Sequence, residues 1–290
     1  MKKSPIIKKI PVSKADAILL KVPYEGTVSG GKGAAGGPRA IVEMLEYQVE
    51  MFDYLLKKTV CDEIGIIQKE VGAGNLKPEK LVEKVQRETL KFFGNEKFLV
   101  MLGGEHTVSL GAISAAKKIF GNLTVIQIDA HADMRNDNSD YEDDRKKITK
   151  HAHSCVMRRA WELGCDIVPV GIRSLSPMEH EFIGKEKLEK NIFYSPVKAS
   201  YKEIISRCRS EKVYLTIDVD GFDPAVMPAT GTPEPGGLGW DWTLGLFKKL
   251  FREKNVIGMD VVEVAPRKCD TITEFAAAKL VYHLIGRKFL

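Results

Sequence analysis

The 290-residue sequence predicts an α/β fold with a largely parallel sheet covered by helices on both faces. Strand-like and helix-like segments alternate almost from end to end, and connections of that length join parallel strands. Apolar, β-branched runs such as "LTVIQ" (123–127) read as strands buried on both faces. The unusual polar residues gather where such strands end, which is where open α/β sheets bind ligands. No repeat, low-complexity tract or linker-like break is present, so residues 1–290 read as one domain.

In order, "DAILLKV" (16–22) predicts a strand and is followed by a glycine-rich loop. Apolar residues at helical spacing predict one helix over 38–56, and Pro78 opens a second over 78–93. A strand (97–102), a helix (107–120) and the strand "LTVIQID" (123–129) lead into a polar loop. Then come a helix (154–163), a strand (165–173), a helix (178–188), a short strand (191–195), a helix (201–209) and the strand "KVYLTIDVD" (212–220). A Gly/Pro loop precedes a helix (242–253), the strand "VIGMDVVEV" (256–264) and a closing helix (272–285).

Apolar residues make up 44%, enough for a large core. The net charge of +5 is spread along the chain with no long basic block, which argues against nucleic acid as a partner. No run reaches membrane-spanning length, and Lys8 and Lys9 break any apolar leader core, so a cytoplasmic protein is expected. Cys61, Cys155, Cys165, Cys208 and Cys269 are odd in number and irregularly spaced, as reduced thiols are. "GGKGAAGG" (30–37) lacks the G-K-[ST] ending of a phosphate loop, and a flexible or subunit-contact loop is expected there.

Four strand ends carry the candidate chemistry. "VMLGGEHT" supplies His106, "IDAHADMR" supplies Asp129, His131 and Asp133, "LTIDVDGFDP" supplies Asp218, Asp220 and Asp223, and "MDVVEVAP" supplies Asp260 and Glu263. Any one alone reads as a cap or loop. On one edge of a parallel sheet they converge, and carboxylates that close must protonate, pair or bind metal. In extended chain Asp129, His131 and Asp133 project to one side, as do Asp218 and Asp220. Four aspartates and two histidines can supply two divalent cations, and oxygen with imidazole favours Mn, Fe, Co or Zn over Ca or Mg.

"GGEHT", "DAHAD" and "DVDGFDP" resemble, in order and spacing, the metal motifs of the ureohydrolases, the family of arginase and agmatinase. The resemblance covers nearly the whole chain. "VPYEGTVSGGKGAAGGPRAI" is similar to the family's opening loop, and "PATGTPEPGGLGW" and "VVEVAPRKCDTITEFAAAKL" to its later motifs. It implies a three-layer α/β/α fold, assembly as trimers or hexamers, and two Mn ions. One ion would be held by His106, Asp129, Asp133 and Asp218, the other by His131, Asp129, Asp218 and Asp220, with Asp129 and Asp218 bridging.

The same resemblance implies hydrolysis of a guanidinium, a poor electrophile that needs an activated water. Glu263 would anchor the cation, with the Thr232 hydroxyl beside it, and Asp133 would take the water's proton. His153 matches the family's proton shuttle, with His151 competing for that role. Asp223 is expected to hold its turn. The later motifs resemble agmatinase more than arginase, so agmatine going to urea and putrescine is the expected reaction; guanidinobutyrase or arginase activity is the alternative. Arg135 bears on that choice, since it is placed to receive a carboxylate tail, whereas Asp140, Glu142, Asp143 and Asp144 suit a cationic one or form a solvated charge run. A deacetylase-like amidohydrolase is more distant, because such enzymes keep a single zinc and lack a ligand like His106.

Overall fold

In the computed structural model, which describes residues 5–290, eight parallel strands form the central sheet. The chain runs β1 (Ala17–Val22), α1 (Gly37–Tyr47), β2 (Phe52–Asp53), β3 (Lys58–Thr59), α2 (Val60–Glu63), β4 (Ile66–Glu70), α3 (Pro78–Phe93), β5 (Phe98–Gly103), α4 (Thr107–Phe120) and β6 (Thr124–Ile128). It continues through α5 (Val156–Glu162), β7 (Asp166–Ile172), α6 (Pro177–Lys185), β8 (Phe193–Tyr194), α7 (Tyr201–Ser206), β9 (Lys212–Asp218), α8 (Trp240–Glu253), β10 (Asn255–Val262) and α9 (Ile272–Phe289). The sheet order is β4-β1-β5-β10-β9-β6-β7-β8, so the last strand made lies in the middle, between β5 and β9.

Successive residues of a strand face opposite sides, and the core divides accordingly. Leu19, Val100, Ile126, Leu215 and Val261 pack under α1, α7, α8 and α9. Ile18, Leu20, Leu99, Met101 and Val125 pack under α3, α4, α5 and α6. Three layers result, as expected, with each large buried side chain contributing roughly 1.5–3 kcal/mol.

Two expectations change. The helix predicted over 38–56 ends at Tyr47, and Phe52–Asp53 pairs antiparallel with Lys58–Thr59. Asp53 holds the hairpin that replaces the predicted last turns: one carboxylate oxygen accepts the N–H groups of Leu55 and Leu56 at 2.9 and 3.0 Å, and the other meets His283 Nδ1 on α9 at 2.7 Å. A side chain that satisfies backbone donors locally competes with the helix. The second change is the edge strand β4, which the sequence pattern left unassigned. It aligns Ile66 with Ala17 and Ile67 with Ile18 of β1.

Four of the five cysteines are buried, and all five are free thiols. Burial pushes Cys155 and Cys208 up to about 12 and Cys165 up to about 11. Among the described residues no helix is long and apolar enough to cross a membrane.

Gly111 lets α4 approach α3: a Cβ there would lie 2.6 Å from the Cβ of Val85. Helix propensity alone predicts that Gly111→Ala stabilises by about 1 kcal/mol. Overpacking costs about 1–3 kcal/mol, and the contact is backed by the α3 backbone. We expect Gly111→Ala to lower the urea unfolding midpoint; a raised midpoint would show that the helix pair is loose enough to part.

Candidate active site

The site stands on the carboxyl ends of four adjacent strands, β5, β10, β9 and β6. His106 caps α4 just past β5, Asp129 follows β6, Asp218 is the last residue of β9, and Glu263 follows β10. Asp220 lies in the single turn Val219–Gly221, where its N–H donates to Asp218 Oδ1 at 2.9 Å. His106, Asp129, Asp133, Asp218 and Asp220 are buried, and the His131 side chain is 29% exposed.

These six residues come together. His106 Nδ1 lies 2.9 Å from Asp133 Oδ2, 3.2 Å from Asp129 Oδ2 and 3.6 Å from Asp218 Oδ2. His131 Nδ1 lies 3.0 Å from Asp220 Oδ2 and 3.6 Å from Asp129 Oδ1. Two groups of mutually close donor atoms result, His106–Asp129–Asp133 and Asp129–His131–Asp220, sharing Asp129. His106 Nδ1 makes no directional hydrogen bond despite three carboxylates around it. A buried nitrogen ringed by off-axis carboxylate oxygens fits a common cation better than a hydrogen bond. The donor set therefore fits divalent metal.

The delivery differs from simple alternation along a strand. β6 stops at Ile128, and Asp133 arrives through a left-handed residue with φ +52°. Its carbonyl accepts the N–H groups of Met157 and Arg158 at 3.0 and 3.1 Å, capping α5. Glu263 is left-handed as well, φ +63°, with its N–H on Gly104 O at 2.8 Å and its Oε1 accepting the His106 N–H at 2.7 Å. Non-glycine residues in this region cost energy and persist where surrounding bonds fix them.

The electrostatics follow from crowding. Burial, then the Asp129 charge, pushes Asp133 up to about 7, and burial with the Asp220 charge raises Asp218 well above the carboxylate range. Burial and Glu105 raise Glu263 likewise. Burial opposes charge on the two histidines, yet Asp129 with Asp133 raises His106, and Asp129 with Asp220 lifts His131 to about 12. The chain alone thus draws protons where cations would sit.

Outer partners orient the first residues. The Thr216 hydroxyl donates to Asp260 Oδ1 at 2.6 Å and so accepts from His106 Nε2 at 2.8 Å, leaving Nδ1 to face the carboxylates. Tyr214 donates to the other Asp260 oxygen at 2.9 Å, and Gln127 Nε2 to Asp129 Oδ2 at 2.7 Å. Ligating histidines are typically fixed this way.

A cavity of about 230 Å³ opens over the cluster, lined among others by Glu263, Thr232, His153, Tyr141 and Arg135. Thr232 Oγ1 lies 3.3 Å from Asp220 Oδ2. Burial, reinforced by His131 and His106, lowers His153 to about 4, so its ring is neutral near pH 7. His151 turns away, with Nδ1 3.9 Å from Glu79. Arg135 pairs with Asp140, lies 3.7 Å from Glu179 and stacks over Tyr141 at 5.4 Å. Glu142 and Asp144 accept backbone N–H groups within their own surface loop. Asp223 holds its turn, accepting from Ala225 and Gly237 at 2.9 and 3.1 Å.

The first residues of the glycine-rich loop line this cavity, a placement that the sequence did not indicate. Gly31 donates to Gly231 O at 3.2 Å, and a Cβ on Gly31 would lie 3.0 Å from that oxygen. Its Gly33 and Ala35 N–H groups are taken by Glu25, at 2.6 and 3.3 Å, in place of a phosphate. Sequence reasoning passed over Thr27, Ser29, Glu105, Thr216 and Glu179. Glu105 alone carried a signal, an acid beside a proposed ligand histidine; the hydroxyls had none.

The arginase family profile matches residues 15–286. An N(1)-aminopropylagmatine ureohydrolase of Synechocystis is 38% identical over 286 residues, covering 94% of this chain and 90% of that protein. An agmatinase of Pyrococcus horikoshii is 31% identical over 285 residues, covering 96% and 93%. The crystal structure of the agmatine ureohydrolase of Thermoplasma volcanium superposes with a TM-score of 0.80 at 26% identity, covering 97% of this chain and 92% of that one. The match runs from the first strand of the sheet into the last helix and takes in every residue of the cluster: the chain belongs to the arginase family.

Proposed function

We propose that the protein is a ureohydrolase that cleaves an aliphatic guanidino amine, and that agmatine, giving urea and putrescine, is its substrate. The observation that carries this reading is the pair of histidine–aspartate groups sharing Asp129, with Glu263 held at their edge. Two divalent cations, Mn2+ by the family resemblance, would be held by His106, Asp129, Asp133 and Asp218 and by His131, Asp129, Asp218 and Asp220. When bound they supply Lewis acidity and a water acidic enough to act as nucleophile near neutral pH.

The chain's own residues do the rest. Glu263 faces the cavity and is fixed by the His106 N–H, so it suits a guanidinium. Asp133 belongs to the cluster and also lines the cavity, suited to receiving a proton from the attacking water. His153 is neutral and lines the cavity, suited to carrying a proton to the leaving amine. Arg135 is engaged by two carboxylates, Asp140 and Glu179, so that wall holds more negative than positive charge. This favours a cationic tail over the carboxylate tail of arginine or guanidinobutyrate. N(1)-aminopropylagmatine is the second reading, favoured by the 38% identical relative; its cleavage gives urea and a triamine.

Urea release from agmatine, N(1)-aminopropylagmatine, arginine, guanidinobutyrate and guanidinopropionate distinguishes these readings. The Mn-loaded protein should prefer an amine-tailed substrate by about 100-fold or more in kcat/KM. Activity confined to carboxylate-bearing guanidines would overturn the substrate assignment and return Arg135 to substrate binding. Separately, His153→Ala should lower kcat by about 10²–10⁴-fold with close to two metal ions per chain retained. Loss of metal in that variant, measured by elemental analysis, would make His153 a structural residue of the cluster.

A further inference from the structure

We propose that Glu105 and Thr27 fix the tautomer of His153, placing its proton on Nδ1 and leaving Nε2 to face the cavity as the lone-pair nitrogen. The catalytic consequence rests on the functional reading above; the tautomer itself rests on hydrogen bonds alone.

Glu105 is fully buried, and its carboxylate takes both donors of Thr27. The Thr27 N–H reaches Oε2 at 2.8 Å, and the Thr27 hydroxyl reaches Oε1 at 2.8 Å. A threonine hydroxyl has one proton to give. With that proton on Glu105, Thr27 Oγ1 is only an acceptor towards its other neighbours. It accepts the His153 backbone N–H at 3.1 Å, and it lies 3.3 Å from His153 Nδ1. Two lone pairs cannot bond, so Nδ1 carries the ring proton.

The far nitrogen is then an acceptor. Ser29, on the exposed opening loop, lies 3.2 Å from Nε2 and donates to it, occupying the position where a substrate or water proton arrives. Nε2 takes the proton that the attacking water gave up to Asp133, the ring becomes imidazolium and Asp133 is carboxylate again, and the same proton leaves Nε2 for the departing amine nitrogen, so His153 ends as it began. The opposite tautomer would present an N–H to the cavity with no lone pair to accept with, a defect that is severe in other histidine-dependent enzymes. Thr27 and Glu105 touch neither substrate nor metal in this scheme; they are positioning residues.

The test reads the tautomer directly. In 15N-histidine NMR of the protein, with the His153→Ala variant used for assignment, wild-type His153 should show a protonated Nδ1 and a bare Nε2. Thr27→Val, which keeps shape and removes the hydroxyl, should lose that pattern. Its kcat should fall about 10- to 100-fold with KM within about threefold and metal content unchanged. Thr27→Ser should restore both tautomer and turnover. A wild-type Nε2–H signal overturns the proposal without any variant, as does Thr27→Val retaining the wild-type pattern, or Thr27→Ser failing where Thr27→Val fails. A protein with the expected tautomer that releases no urea from any guanidine supports the tautomer lock and overturns the functional reading instead.

Discussion

Repulsion among buried carboxylates is the constraint on which this structure turns. Asp129, Asp133, Asp218 and Asp220 are 0–5% exposed and converge on one end of the sheet. Two unit charges about 4 Å apart in such surroundings interact by about 4 kcal/mol at an effective dielectric constant of 20. Several such terms together would open the fold if nothing offset them. The chain's own remedy is protons, on His106, His131 and the raised aspartates. The remedy that its donor geometry favours is metal, around which the off-axis oxygens at His106 Nδ1 cease to be an anomaly.

The surrounding architecture differentiates side chains that are chemically alike. Asp260 and Thr216 lie beneath His106 and turn Nδ1 towards the carboxylates. Glu105 and Thr27 lie beside His153 and turn Nε2 towards the cavity. Each relay is an acid, a threonine and an imidazole, and the two assign opposite nitrogens to the work. In the proposed reading one ring would serve as a ligand and the other as a carrier of protons, set apart by the single proton of a hydroxyl rather than by the imidazole itself.

Much of this was legible in the sequence, for physical reasons. The strands show because buried parallel strands must be apolar, and the ligand positions show because acids and histidines at such strand ends have no cheap structural explanation. What stayed hidden depends on distant partners. The hairpin after α1 is held by Asp53 meeting His283, a residue 230 positions away. The left-handed turn at Asp133 depends on capping α5, and the charge state of the Arg135 wall depends on Asp140 and Glu179. Thr27 looks like any loop threonine until Glu105 and His153 are placed around it. Residue type announces the chemistry, while tertiary contact decides which atom performs it.

The place of β10 has a consequence for how the site comes into being. During synthesis β1, β4 and β5 emerge first, and β6 to β9 follow, yet the two sets are joined through a strand that starts only at Asn255. Until it inserts, His106 on one side and Asp129, His131, Asp218 and Asp220 on the other belong to separate half-sheets. Bringing His106 against Asp218 therefore depends on β10 and joins residues more than a hundred positions apart in the chain. Asp129, His131, Asp218 and Asp220 come from β6 and β9, which pair directly, so only the group that includes His106 depends on the last strand.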